Sequence, residues 1–144
     1  MLTDLPIQAL IPALQQQLRD QHQAILEAAP GAGKTTVVPL ELMNEEWRQG
    51  RKIIMLEPRR LAAKTAAQRL ADSLNEPLGQ RIGYRIRHEG KESKQTQVLV
   101  ITEGVLTRML HSDPSLQDVA LIIFDEFHER NLHSDLAFAL CLQA

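Results

Sequence analysis

Cysteine, tryptophan and tyrosine each occur once in this chain, and each scarcity rules something out. A lone Cys141 cannot close an internal disulfide or build a cysteine-only metal site, so the cytoplasm is the expected compartment. Aromatic residues make up 3% of the sequence, and none interleave the basic stretch RIRHEGKESK as a base-stacking platform requires. No apolar run approaches the ~18 residues of a membrane-crossing helix. No basic region followed by an apolar run marks the start as a signal peptide. Internal repeats and low-complexity tracts are lacking too. Net charge is only −2, which gives no global attraction to nucleic acid or anionic membranes, so any nucleic-acid surface must be local. What remains is 144 residues, 44% hydrophobic and 24% charged. That suits one globular core and is short for two ordinary domains.

Apolar periodicity alternates between two kinds. Ile7, Leu10, Ile11, Leu14 and Leu18 recur at helical spacing, with Pro12 expected near the helix start. QAILEA reads as a short strand, then a glycine-bearing loop, then a helix over 34–45. KIIMLEP, QVLVIT and VALIIFDE have the compact apolar character of buried parallel strands. LAAKTAAQRLADSL and GVLTRMLH read as helices, GQRIGYRIRHEGKESKQ as a short strand with a surface loop, and SDLAFALCLQ as the start of a helix. Strands alternating with helices predict an α/β fold, a mostly parallel sheet with helices on both faces.

Two stretches carry chemistry. In APGAGKTT, Gly31 and Gly33 let successive amide N–H groups turn inward toward phosphate oxygens, and a helix starting near Lys34 adds its positive end. Lys34 can reach the β- and γ-phosphates, the Thr35 hydroxyl can join a magnesium shell, and Thr36 caps or packs the first turn. The usual phosphate-loop pattern has glycine where this chain has Ala28, but alanine accepts most conformations with negative φ. The competing reading is a glycine-rich turn that merely starts a helix. The second stretch is ALIIFDEFHER, an apolar strand ending in Asp125 and Glu126. Adjacent carboxylates at the carboxyl end of a parallel strand are costly unless they coordinate or hydrogen-bond something, and open α/β sheets bind ligands at that crevice. Asp125 suits a magnesium shell and Glu126 a general base or positioner of attacking water, against a solvated strand end where Glu126, Glu129 and Arg130 form ordinary surface pairs. Together, loop and acidic strand end point to a magnesium-dependent NTPase. His128 lacks the convergent ligands of a zinc site and reads as a hydrogen-bonding link to a neighbouring segment.

The four blocks APGAGKTT, LEPRRLAA, TEGVLTRML and DEFHER occur in the order found in DEAH-box helicases of superfamily two, and GYRIR between the second and third adds to the match. From about Ala24 onward the chain resembles the first RecA-like domain of that family, a P-loop NTPase fold. DEFH in place of the usual DEAH, beside LEPRRLAA, points to a bacterial member. The resemblance implies ATP, or another NTP, with Mg2+ as cofactors. It assigns nucleotide contacts to Ala28, Ala29, Pro30, Gly31, Ala32, Gly33, Lys34, Thr35 and Thr36, with Arg69 against the base. Thr35, Asp125 and Glu126 hold the metal, Lys34, Asp125 and Glu126 serve catalysis, and His128 couples hydrolysis to strand movement. Pro58, Arg59, Arg60, Thr102, Glu103 and Gly104 line the path of single-stranded RNA or DNA.

Physical chemistry supports these positions unevenly. Arg59 and Arg60 follow a buried strand and can engage phosphates, or can pair with Glu57 or another carboxylate. Thr102 can cap the following helix with its hydroxyl and still face a ligand. Arg69 is open to reading as a helix-surface charge, and Tyr84 as packing. The resemblance further implies residues 1–20 as a helical segment, 21–144 as the amino-terminal part of the first RecA-like domain, and a second RecA-like domain that is absent. Such a piece is expected to bind nucleotide weakly and not to unwind alone. The rival function is a nucleic-acid-binding or scaffold module with a non-hydrolytic nucleotide site. A small P-loop kinase is poorly supported, since the arginine and threonine blocks match nucleic-acid motors.

Overall fold

The central strands divide their apolar runs between two cores. In β2 (Lys52–Leu56), Ile53 and Met55 join one buried cluster while Ile54 and Leu56 join another. The same split separates Val98 and Val100 from Leu99 and Ile101 in β5 (Val98–Ile101). It separates Leu121 and Ile123 from Ile122 and Phe124 in β6 (Val119–Phe127). Successive side chains of a strand point to opposite faces, so an unbroken apolar run is what a sheet covered on both sides demands.

This computed structural model describes residues 7–28, 34–127 and 134–140. They form a seven-stranded sheet in the order β1-β7-β6-β2-β5-β3-β4, where β1 is Gln23–Ala28, β3 Ile82–Ile86, β4 Glu89–Lys91 and β7 Ser134–Leu140. Strands β6, β2, β5 and β3 pair in parallel. Strand β7 runs antiparallel to both β6 and β1, so β1 points the same way as the central four. Five strands therefore end on one edge, the mostly parallel arrangement expected from the alternating pattern.

Helices α1 (Ile7–Gln21), α2 (Lys34–Leu42) and α3 (Arg60–Ser73) cover one face. Leu10, Ile11, Leu14 and Leu18 of α1 are buried in the same cluster as Val38 and Leu42 of α2 and Ala63, Ala67 and Leu70 of α3. Helix α4 (Glu103–Ser112) covers the other face through Val105, Leu106 and Met109. Beside α4 a cleft of about 790 Å3 reaches the β3–β4 turn. Among the described residues no helix is long and apolar enough to cross a membrane.

Four local outcomes differ from the sequence expectations. Pro12 lies inside α1, on its exposed side, where it removes one backbone bond while the buried face holds the helix down. Helix α2 stops at Leu42, short of residue 45; Glu45 instead forms a two-bond pair with Arg19 at 3.1 and 3.3 Å, and Glu46–Arg48 forms a single 3-10 turn. The glycine-broken stretch becomes a hairpin of two strands, because Gly83 and Gly90 allow close approach. A Cβ on Gly83 would meet the Lys91 carbonyl at 2.5 Å, and one on Gly90 the Tyr84 carbonyl at 3.0 Å. Finally, Ser134–Leu140 is a strand and does not start a helix. Its apolar run fits either period, and insertion between β1 and β6 gives it hydrogen-bonding partners on both sides.

Candidate nucleotide and nucleic-acid site

The edge where five strands end collects the two chemical stretches. Ala28 is the last residue of β1 and pairs with Ser134, which on its other side pairs with Phe127 at the end of β6. Two strand spacings therefore separate the entry to the phosphate loop from the acidic strand end, roughly 10 Å. Lys34 opens α2, with Thr35 and Thr36 half-buried in its first turn. Asp125 and Glu126 are the penultimate pair before Phe127 in β6, and Asp125 is half-buried. Ala29, Pro30, Gly31, Ala32, Gly33 and His128 lie outside the described residues.

On the adjoining strands the register sets a row of three. Leu56 pairs with Phe124 on one side and Ile101 on the other, so Glu57, Asp125 and Thr102 stand level at the strand ends. The Glu57 N–H donates to the Ile101 carbonyl at 2.9 Å, carrying the ladder one residue past β2. Pro58, Arg59 and Arg60 follow, all exposed, with Arg59 at the amino-cap position of α3 and Arg60 its first residue. Glu103 and Gly104 are exposed in the first turn of α4. Thr102 does occupy the cap position, but its hydroxyl makes no capping bond. Its carbonyl instead accepts the Val105 and Leu106 N–H groups, each at 3.1 Å, which corrects the expected side-chain cap. Arg69 is exposed nine residues into α3, about 13 Å along the axis from Arg60. The structure thus gathers the phosphate-loop ends, the acid pair, and the PRR and TEG segments on one edge, and leaves Arg69 down the helix.

Glu57 is the site residue that sequence reasoning treated only as a partner for arginine. Its side chain is 5% exposed and hydrogen-bonds Asp125, with no ion pair to Arg60. Burial first, then the Asp125 charge and that hydrogen bond, pushes its carboxyl up to about 9, so at neutral pH Glu57 is the proton donor and Asp125 the acceptor. An acidic residue directly between an apolar strand and a proline was the available signal. Arg60 instead faces the hairpin, donating to the Arg87 carbonyl at 3.4 Å.

The donor chemistry of this edge fits a small hard cation. The Asp125 carboxylate at a strand end and the Thr35 hydroxyl in the first turn of a helix are both oxygen donors, the type such a cation takes.

Comparison with known proteins decides the family. The DEAD/DEAH box helicase model matches residues 6–136. The chain belongs to the DEAD/DEAH box helicases. It is 50% identical over 141 residues, 98% of its length, to ATP-dependent RNA helicase HrpB of Escherichia coli (strain K12). It is 37% identical over 135 residues, 94% of its length, to the probable ATP-dependent RNA helicase DHX40 of Rattus norvegicus. Each match covers 17% of the relative, so the chain spans about one sixth of the length of these helicases. The crystal structure of the Escherichia coli DEAH/RHA helicase HrpB superposes with a TM-score of 0.80 at 50% identity, over 90% of this chain and 16% of that one. A second, of the E. coli DExH-box NTPase HrpB, gives 0.80 at 48% identity over 92% of this chain and 16% of that one. The similarity to the first RecA-like domain of a DEAH-box helicase, bacterial HrpB among them, follows from both sequence and fold.

Proposed function

We propose that this chain is the nucleotide-binding part of an ATP-dependent nucleic-acid helicase, in which magnesium-dependent NTP hydrolysis drives movement along single-stranded RNA or DNA. The observation that carries the reading is the level row of Asp125, Glu57 and Thr102, in which the strand leading to PRR lies beside the acid strand end and the strand leading to TEG one further along. Polynucleotide engaged at Arg59, Arg60 and Thr102 is then one to two strand spacings from the metal-binding carboxylate.

Lys34 and the phosphate-loop amides bind the triphosphate, Thr35 and Asp125 orient its metal, and Glu126 accepts the proton of the attacking water. Bound Mg2+ supplies charge neutralisation on the phosphate oxygens. His128 links this chemistry to a neighbouring segment, and Arg69 reaches the base. The division into a helical segment over 1–20 and a partial RecA-like domain over 21–144 belongs to the same proposal, as does a cytoplasmic setting. A second RecA-like domain completes the cleft, so the 144-residue chain alone binds nucleotide weakly and separates no strands.

NTP hydrolysis by the full-length protein, with and without single-stranded RNA or DNA, tests the reading. Nucleic acid is expected to stimulate turnover, and Lys34→Ala and Glu126→Gln to reduce it sharply. Unchanged rates in both variants overturn the assignment. Tight nucleotide binding without turnover supports the scaffold alternative.

A further inference from the structure

The β3–β4 hairpin is tied to α3 by a cluster that the nucleotide chemistry does not use. The Glu89 Oε2 atom accepts the Tyr84 hydroxyl at 2.6 Å and the Lys64 ammonium at 2.7 Å. The Lys64 Nζ lies 5.9 Å from the centre of the Tyr84 ring, within reach of a cation–π contact. Lys64 is one helical turn beyond Arg60, so both cations share a side of α3. Glu89 attracts both, and its carboxyl is held below the usual range first by the Lys64 and Tyr84 hydrogen bonds and then by the charges of Lys64 and Arg60.

The hairpin turn itself is strained. Ile86 pairs with Glu89, leaving Arg87 and His88 as a two-residue turn, and His88 adopts φ 66°, a region that favours glycine. A non-glycine residue persists there only where its surroundings over-determine the conformation. The Arg87 carbonyl at this turn receives the Arg60 guanidinium.

We propose that Tyr84 and Glu89 are positioning residues for Arg60, clamping the hairpin to α3 so that the Arg87 carbonyl aims the Arg60 guanidinium at a nucleic-acid phosphate. The inference rests on the proposed role of Arg60 in nucleic-acid binding. Tyr84 is buried, with its ring in the α1–α3 core and its hydroxyl on Glu89, so Tyr84→Phe removes the bond without altering charge or shape. Glu89→Gln gives a second variant, at a side chain that is 39% exposed.

The test is fluorescence anisotropy of a labelled single-stranded oligouridylate with the full-length protein at several salt concentrations, on single variants and on pairs with Arg60→Ala. Tyr84→Phe is expected to weaken binding several-fold in the wild-type background and to have no further effect once Arg60 is alanine, the non-additivity of residues acting as a unit. The salt slope should fall by about 0.7, one single-strand phosphate contact, in Tyr84→Phe and Arg60→Ala alike. A purely structural role for Tyr84 predicts equal losses with and without Arg60, which overturns the clamp. Tyr84→Phe and Glu89→Gln both at wild-type affinity, with Arg60→Ala still weakened, also overturn it and leave the Arg60 reading intact. Wild-type affinity in Arg60→Ala overturns the Arg60 reading itself and the clamp with it.

Discussion

The two ends of the sheet treat polar groups in opposite ways. At the amino end of the strands, several polar side chains bond within the chain, although the buried Trp47 indole N–H finds no acceptor among the described residues. Arg48 donates to the Met43 and Arg51 carbonyls, both at 2.9 Å, and the buried Thr96 hydroxyl donates to the Gln80 carbonyl at 2.8 Å while accepting the Ser93 N–H at 2.9 Å. Arg81 donates through Nε to Glu76 at 2.7 Å. At the carboxyl end, a buried acid is set against another acid, Glu57 against Asp125. Polarity at one end closes the fold. At the other, a protonated acid is held against a second acid, in a place where burial opposes its ionisation.

Removing the carboxylate most central to the carboxyl end separates the two roles most sharply. Asp125→Asn is expected to weaken magnesium-dependent nucleotide binding by at least the roughly 10–100-fold that loss of an outer-shell partner costs. Thermal unfolding of the same variant should show little change in stability, because the amide oxygen still accepts the Glu57 proton while no carboxylate has to be desolvated. A large loss of stability would erase the contrast between the ends.

A pH series sharpens it next. Below about 4.5, the ordinary value, Glu57 is protonated in both folded and unfolded chains and its contribution to stability is complete. Between 4.5 and about 9 the unfolded chain ionises while the folded one keeps its proton, so stability declines through that window. Glu57→Gln, neutral at every pH, should flatten the decline measured by denaturant unfolding from pH 5 to 9 without magnesium.

The amino end is probed by Arg48→Met, which keeps the apolar stem and removes both carbonyl bonds. About 2 kcal/mol of stability should be lost in urea titrations, with nucleotide affinity of the folded protein unchanged. The smallest effect belongs to the turn. His88→Gly relieves the positive φ and is expected to raise stability by up to about 1 kcal/mol, read as a higher unfolding midpoint.

Much of this was legible in the residues because the signals are local. KIIML, VLVI and ALIIF read as two-faced strands since each alternate residue needs an apolar neighbour, and the structure supplies both cores. GKTT and DE were legible as candidates for chemistry because their spacing from strand ends does not depend on distant contacts. Ser134–Leu140 was misread because its short apolar run, Leu136–Leu140, carries no decisive period, and only its neighbours β1 and β6 select the strand. Thr102 was placed correctly at a helix start, while the direction of its hydroxyl was not a local matter. The Tyr84–Glu89–Lys64 cluster was illegible for a further reason: it joins a helix to a hairpin whose second strand the sequence reading had not resolved.

The amino-acid sequence by itself determined the alternation of buried strands and amphipathic helices, and with it the edge on which the strand-end motifs fall, because periodicity and turn residues act over a few positions. Tertiary structure alone decided which motifs became neighbours. Strand order and register set Glu57 level with Asp125 and Thr102, bring the hairpin onto α3, and seat β7 between β1 and β6. Those placements depend on pairing across the whole chain, where hydrogen-bond satisfaction and burial are settled together and no short stretch carries the answer.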